Sequence, residues 1–278
     1  MRYAFNTWCY GSFPTWLPSY PLPLVIERLA RIGYDGIEIG CASPHAWPDY
    51  LSGDDRRAIR RSLDEHGIVA SSLLPAPGGG PGGNPASPIA AERAWIRDHY
   101  CQVIDLAAEL GARRVLYIPG WLVFGTTRID AWSWSLETLV HAARHARQYG
   151  ITLCVEPTPA DSNFVDTPDH ALEMRAASAE PNVKVMFDTY HALYRKEDPA
   201  DQVYQMAEHL DHVHVADTDR LPPGRGTMDF LPLMLALKEV GFEGYVTMET
   251  GFSSRATHPD SEARAALAHL RAIEEGLT

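Results

Sequence analysis

The feature that most constrains the fold of this chain is a regular alternation of short apolar runs with longer helical patterns. Eight runs of strand length lie at residues 3–8, 36–40, 69–74, 114–119, 152–156, 184–189, 212–217 and 245–250. Most of them are nearly continuous in β-branched and other apolar residues. Runs of this kind are typical of parallel strands that are covered on both faces of the sheet.

Between these runs, apolar residues recur at three- and four-residue spacing, which indicates amphipathic helices. Examples lie at residues 24–32, 59–65, 103–110, 136–149 and 230–240, and we expect a last helix at 260–276. Glycines, which helix C-caps prefer, follow several of them at Gly33, Gly67, Gly111, Gly150 and Gly241. Eight strand–helix units in 278 residues fit a (β/α)8 TIM barrel better than an open doubly wound sheet. We therefore predict an α/β fold with one TIM-barrel domain over residues 1–278.

A Gly/Pro-rich segment at residues 75–88 follows the third strand. It lacks the G-K-[ST] ending of a phosphate-binding loop and does not run directly into a helix. Long loops at the C-terminal face of a barrel are often functional. Two interpretations stay open at this point, a plain flexible loop and a lid over the mouth of the barrel.

Charge and composition exclude several classes of partner. The formal net charge of −12 argues against a nucleic-acid-binding protein, which would carry a basic stripe, and favours a neutral over a polyanionic substrate. The four cysteines form no C-x-x-C pair, so we expect reduced thiols. The sequence shows neither a signal peptide nor an apolar stretch of membrane-spanning length. We therefore expect a cytoplasmic protein that does not contact membranes.

Acidic residues and a histidine stand near the C-terminal ends of four consecutive predicted strands, where the active sites of TIM barrels lie. They are Glu156, Asp188, His214 and Glu249. Each could instead be an isolated buried polar group bonded to a neighbour. Four such groups at one rim, flanked by apolar residues, would be costly to bury without a cation. Carboxylate oxygens with one imidazole and no thiolate suit a single divalent ion of the Mn, Co, Zn or Mg type.

Two further residues lie close to these predicted metal ligands. His191 falls three residues after Asp188 and could reach a substrate oxygen, although a lone loop histidine more often faces solvent. Arg220 could hold a substrate oxygen or form an ion pair with Asp217 or Asp219. His212 alternates with His214 along one strand, so it should point inward as a core histidine.

These motifs resemble the xylose-isomerase-like TIM barrels, and among them the D-tagatose and D-psicose 3-epimerases. The resemblance spans nearly the whole chain and is sharpest in F-D-T-Y-H at 187–191, in H-V-H-V-A-D-T-D-R-L-P-P-G-R-G at 212–226 and in M-E at 248–249. It implies that Glu156, Asp188, His214 and Glu249 bind the metal, that Glu156 and Glu249 are also the acid/base pair, and that His191 and Arg220 contact substrate. It further implies Mn²⁺ or Co²⁺, with Mg²⁺ or Zn²⁺ as alternatives, and a dimer or tetramer.

The chemistry that such a site supports is proton transfer next to a carbonyl. A cation that polarises the carbonyl of a ketose stabilises the enediolate left by proton loss. Two carboxylates can then remove the proton from one face and return it to the other, which makes a ketose 3-epimerase. Return of the proton to the neighbouring carbon makes an aldose–ketose isomerase. We predict a small-molecule sugar or polyol as the substrate.

The chain departs from the epimerases in the segment E-P-T-P-A-D-S-N, where Asp161 stands in place of a family glutamate and becomes a candidate substrate contact. Trp8 and Trp121, just past predicted strand ends, are candidates for an apolar wall against the sugar.

Three other functions compete with the sugar epimerase or isomerase. A lyase of the inosose or dehydroshikimate dehydratase type could use the same metal and base to expel a β-hydroxyl. An apurinic-site endonuclease would need several metals and a basic surface. A non-catalytic metal-binding barrel would have no use for two acid/base glutamates.

Overall fold

The structure, a computed structural model, describes residues 1–11, 19–75, 83–252, 254 and 256–277. Its strands are β1 Arg2–Asn6, β2 Gly36–Cys41, β3 Val69–Pro75, β4 Arg114–Tyr117, β5 Thr152–Val155, β6 Val183–Asp188, β7 Leu210–Val215 and β8 Tyr245–Met248. All neighbours pair in parallel, and β1 pairs with β8 to close the barrel in the order β1 to β8. Each predicted strand overlaps one of these, so the predicted TIM barrel is confirmed.

The helices of the described residues alternate with the strands around the barrel. They are α1 Leu22–Ile32, α2 Gly53–His66, α3 Ala90–Leu110, α4 Arg128–Arg147, α5 Pro168–Ser178, α6 Thr189–Arg195, α7 Pro199–Met206, α8 Leu231–Glu239 and α9 Pro259–Glu275. Short 3-10 turns lie at Thr7–Tyr10, Pro48–Tyr50, Ala207–His209 and Thr218–Arg220. No helix of this part of the chain is both long enough and apolar enough to cross a bilayer.

Helix starts are the least accurate part of the sequence prediction, because capping residues rather than apolar spacing set them. The α2 helix begins at Gly53, well before the apolar pattern at 59–65, since Ser52 and Asp55 form a reciprocal capping box. The α4 helix begins at Arg128 because the Thr127 hydroxyl accepts a hydrogen bond from the Asp130 amide. Helix ends were easier to predict. Gly67 and Gly111 adopt the predicted left-handed conformation, with φ of +65° and +78°.

Apolar packing forms two layers because successive strand residues point to opposite faces of the sheet. The larger layer lies between the barrel and its helices and includes Leu73 and Val115. The residues next to these in sequence belong to a separate small cluster inside the barrel. That cluster consists of Leu74, Leu116, Cys154 and Met186, with Trp8 and Ile118 packed against it. The apolar part of the barrel interior is thus contributed by β3 to β6.

The other half of the barrel interior is polar. The register pairs Asn6 with Glu38, Glu38 with Ser72, and His214 with Thr247. These residues and His212 are fully buried. The four cysteines Cys9, Cys41, Cys101 and Cys154 are all free, as predicted.

Gly40 makes room for the indole of Trp8 at the upper end of β2, because a Cβ at position 40 would overlap the five-membered ring of that indole. We predict that Gly40→Ala lowers the free energy of unfolding by about 1–3 kcal/mol, the usual cost of overpacking. Thermal unfolding monitored by tryptophan fluorescence measures this. Gly53→Ala is the matched control, since its added Cβ would meet only the guanidinium of Arg57. Equal midpoints for the two variants would contradict this account of Trp8 packing.

Candidate functional site

Four predicted ligands stand together at the C-terminal rim of the barrel. Glu156 follows β5 directly, Asp188 ends β6, His214 lies one residue before the end of β7, and Glu249 follows β8 directly. All four are buried, with Glu249 the most exposed at 7%. The register pairs Asp188 with His214, which places these two residues at the same level of the barrel. Parallel strands that end at one rim therefore bring together residues nearly a hundred positions apart in the sequence.

The ligand atoms fall into two overlapping groups that share Asp188. One consists of Asp188, His214 and Glu249, and the other of Glu156, Asp188 and His191, with the potential ligand atoms of each group within 4.8 Å of one another. The Nδ1 atom of His214 lies 3.2 Å from Glu249 Oε2 and 3.9 Å from Glu156 Oε1. The structure thus brings the four predicted ligands together and places His191 beside them.

Charges at this rim are crowded and respond to one another. Burial raises the pKa of the Glu156 carboxyl well above its usual range, against the opposing charge of His214. Burial likewise raises the pKa of Asp188 to about 6, although Arg220 acts in the opposite direction. Burial would also raise the pKa of Glu249, but the Arg220 guanidinium and the His214 ring hold it at about 2. Burial thus opposes the charged form of all three carboxylates, and further positive charge at the rim would favour that form.

Two buried atoms at the rim indicate where that positive charge fits. Asp188 Oδ2 and His214 Nδ1 have no hydrogen-bond partner among the described residues. Although burial would lower it, Glu38 and Glu249 hold the pKa of His214 well above its ordinary value, so a proton is drawn to this ring. A divalent cation could replace that proton and would be held by carboxylate oxygens and one imidazole, ligands that suit Mn²⁺, Co²⁺, Zn²⁺ or Mg²⁺. The residues present fit the predicted cation.

Arg220 is presented to the site by the loop that follows β7. Asp219 and Arg220 both have left-handed backbone angles, with φ of +58° and +59°, a strained arrangement that often marks functional loops. The Nη2 atom of Arg220 lies 2.5 Å from Glu249 Oε2 and 3.8 Å from Asp188 Oδ2. Arg220 therefore contacts the acids of the rim, and the alternative pairing with Asp217 or Asp219 is wrong.

Asp217 has a different task, because its carboxylate organises this loop. It accepts hydrogen bonds from the backbone amides of Thr218, Gly224 and Met228, at 2.8, 3.0 and 2.8 Å. Gly226 allows the loop to pass close by, since a Cβ there would overlap the same carboxylate. This buried acid holds the loop shape that carries Arg220.

His191 lies in the first turn of α6 and is 4% exposed, so it is not a solvent-facing histidine. Its Nδ1 accepts a hydrogen bond from the Ala160 amide at 3.3 Å, which leaves the proton of the neutral ring on Nε2. That Nε2 lies 3.9 Å from Glu156 and 3.7 Å from Asp161. Burial, and then Arg220, lower the pKa of His191 to about 3. His191 is therefore a neutral hydrogen-bond donor aimed at the site.

The other predicted substrate contacts are Asp161, Trp8 and Trp121, and they lie farther from the four predicted metal ligands or face other groups. The Asp161 side chain is 65% exposed at the outer edge of the site. Trp8 packs against the apolar cluster inside the barrel. Trp121 lies in the loop after β4, where its carbonyl accepts a hydrogen bond of 2.9 Å from Asn84. Of the Gly/Pro-rich segment at 75–88, which could be a flexible loop or a lid, residues 76–82 lie outside the described residues.

Sequence reasoning missed Glu38, which lies below the rim inside the barrel. Its carboxylate accepts hydrogen bonds of 2.7 Å from Asn6 Nδ2 and from Ser72 Oγ. The Nε2 atoms of His212 and His214 lie 2.9 and 2.8 Å from it, although neither ring N–H is aligned for a regular hydrogen bond. His212 is the buried, inward-pointing histidine that the sequence predicted. The missed signal was an acidic residue in the middle of the apolar strand G-I-E-I-G-C.

Comparisons with known proteins agree with this geometry. Residues 26–273 match the family described as xylose isomerase-like TIM barrel. Fructoselysine 3-epimerase from Shigella flexneri is 26% identical over 272 residues, which cover 95% of this chain and 97% of that protein. D-psicose 3-epimerase from Agrobacterium fabrum is 27% identical over 230 residues, which cover 81% of this chain and 77% of the relative.

A crystal structure of D-psicose 3-epimerase in the presence of D-fructose has the same fold. It matches with a TM-score of 0.85 at 21% identity and covers 98% of this chain and 99% of that one. Both of these relatives are named as 3-epimerases, so the chain is an enzyme of the isomerase class. With a family match over nearly its whole length and the closed eight-stranded barrel, the chain belongs to the xylose isomerase-like TIM barrel family.

Proposed function

We propose that the protein is a divalent-metal-dependent sugar epimerase that inverts C3 of a ketose. The observation that carries this proposal is the arrangement of Glu156 and Glu249 on either side of Asp188 and His214 at one rim. Glu156 follows β5 and Glu249 follows β8, so the two carboxylates approach a molecule in the barrel mouth from different directions. The 3-epimerase names of the relatives support the same reaction.

Glu156, Asp188, His214 and Glu249 would hold the cation, with Mn²⁺ or Co²⁺ as our first expectation and Mg²⁺ or Zn²⁺ as alternatives. When bound, the cation supplies positive charge that stabilises the oxygens of a sugar whose carbon next to the carbonyl has lost its proton.

The protein's own residues would divide the proton transfer between two faces of the sugar. One of the two carboxylates, Glu156 or Glu249, removes the proton from C3, and the other returns a proton to the opposite face, which inverts the centre. His191 would donate a hydrogen bond from its Nε2–H group to a hydroxyl or carbonyl oxygen of the sugar. Arg220 would hold Glu249 in place and offer its remaining N–H groups to a second oxygen.

Trp8 and Trp121 would form an apolar wall, and Asp161 would contact the outer part of the substrate. The proposed substrate is not phosphorylated, because the basic groups of the β7 loop are already paired. Arg220 contacts Glu249, and Arg225 contacts Glu262 at 2.7 Å. Arg255, after β8, lies outside the described residues. We further propose that the enzyme works in the cytoplasm as a dimer or tetramer and binds no nucleic acid.

Proton exchange with solvent tests the reaction directly. We predict that Mn²⁺-loaded enzyme in D₂O places deuterium on C3 of a ketose and forms the 3-epimer, as NMR and mass spectrometry would show. The panel should pair fructose with fructose 6-phosphate and add an inosose and dehydroshikimate. Deuterium at C1 or C2 instead would make the enzyme an aldose–ketose isomerase, and loss of water a lyase. A preference for the phosphate ester would refute the neutral-sugar proposal.

Two variants separate metal binding from acid/base chemistry. We predict that Glu249→Gln, which keeps an oxygen ligand and removes the base, still binds Mn²⁺ while kcat falls about 10²- to 10⁴-fold. Asp188→Ala should instead lose Mn²⁺ in calorimetric titration, because the aspartate contributes to both ligand groups. Exposed Asp169→Ala on α5 serves as a control and should match the wild type. Full turnover by Glu249→Gln would show that the two-carboxylate mechanism is wrong.

A further inference from the structure

The carboxylate of Glu38 accepts hydrogen bonds from two strands and lies against two histidine rings of a third. Oε1 contacts Asn6 Nδ2 at 2.7 Å and His214 Nε2 at 2.8 Å. Oε2 contacts Ser72 Oγ at 2.7 Å and His212 Nε2 at 2.9 Å. A carboxylate has about four acceptor sites, so each of these donors has one. A fully buried group with this set of neighbours is held as an acceptor and has little freedom to turn.

His214 joins this interior group to the rim, because its two ring nitrogens face different acids. Nε2 faces Glu38, while Nδ1 faces Glu249 Oε2 at 3.2 Å and Glu156 Oε1 at 3.9 Å. A neutral imidazole carries one proton, and the nearer carboxylate, Glu38 at 2.8 Å from Nε2 against Glu249 at 3.2 Å from Nδ1, favours that proton on Nε2. The lone pair of Nδ1 then points among carboxylate oxygens. Such an arrangement is repulsive unless a second ring proton or a metal cation lies between them.

We propose that Glu38 is a positioning residue that keeps His214 in the tautomer whose Nδ1 binds the cation. This inference rests on the metal centre proposed above. Carboxylates that accept the second N–H of a metal-binding histidine are common and fix both tautomer and ring orientation. His212 packs against this Glu38–His214 pair, since its ring lies edge-on to that of His214 with centroids 5.1 Å apart.

Replacing Glu38 by glutamine tests this role, because the shape stays and one acceptor oxygen becomes an NH₂ donor. Whichever way the amide turns, its NH₂ group faces a histidine N–H, either that of His214 or that of His212. In either orientation the negative charge beside Nε2, which would make His214 a stronger ligand, is lost. In the orientation whose NH₂ group faces His214, the ring proton must also move to Nδ1, the atom that would bind the cation. We expect calorimetric titration with Mn²⁺ to show about 10- to 100-fold weaker binding by Glu38→Gln than by wild type.

Ser72→Ala is the matched control, since it removes a contact from the other carboxylate oxygen and keeps the charge. It should change Mn²⁺ affinity by less than about threefold, as expected for loss of one neutral donor. Circular dichroism and thermal unfolding check that both variants fold. If folded Glu38→Gln binds Mn²⁺ as tightly as wild type, the positioning role is refuted while the metal centre stands. If the wild type itself binds no divalent cation, the metal centre and this role fail together.

Nitrogen-15 NMR of the Zn²⁺-loaded wild type gives a second readout, which does not depend on how the variants fold. The His214 imidazole should show its proton on Nε2 and its metal-bound nitrogen at Nδ1. A proton on Nδ1 in the Zn²⁺-loaded protein would overturn the proposal, even if Glu38→Gln failed to fold.

Discussion

The burial of several carboxylates at one point is the constraint on which the rest of this structure depends. Glu156, Asp188 and Glu249 are each less than a tenth exposed, and they share one rim of the barrel. Isolated buried charges are costly, and repulsion between them adds to that cost. Arg220 and His214 compensate part of this charge from the adjacent strand and loop. The proposed divalent cation would neutralise the negative charge that remains.

The barrel interior is arranged to support that rim. One half of the interior, on β3 to β6, is filled by apolar side chains. The other half is polar, and the contacts of Glu38 connect β1, β2, β3 and β7 there. Interior polar groups require complete sets of partners, so such a network fixes the orientation of its members. The strands then hold the proposed ligands, and the loop organised by Asp217 holds the guanidinium of Arg220. Structure and proposed chemistry thus depend on the same few contacts.

Much of this arrangement could be predicted from the sequence, because it follows from local patterns. Apolar runs located the strands, and the TIM-barrel topology then implied that Glu156 and Glu249 share a rim although 93 residues separate them in sequence. Glu38 could not be assigned in this way, since its contacts with His212 and His214 cross the barrel interior from β2 to β7 and strand order alone does not show which inward-pointing side chains meet there. The partner of Arg220 was also unpredictable, because it depends on two left-handed residues in a row.

The most direct test of the central claim, that this rim is a divalent cation site, is X-ray absorption spectroscopy of the Zn²⁺-loaded protein. The account predicts oxygen and nitrogen ligands at about 2.0–2.2 Å with the scattering of one imidazole and no sulfur shell. Two strong imidazole contributions would instead add His191 to the ligands at the rim or place the ion lower, at Glu38, His212 and His214. A sulfur shell at about 2.3 Å would implicate a cysteine. Either result would contradict the assignment of Glu156, Asp188, His214 and Glu249 as the ligands.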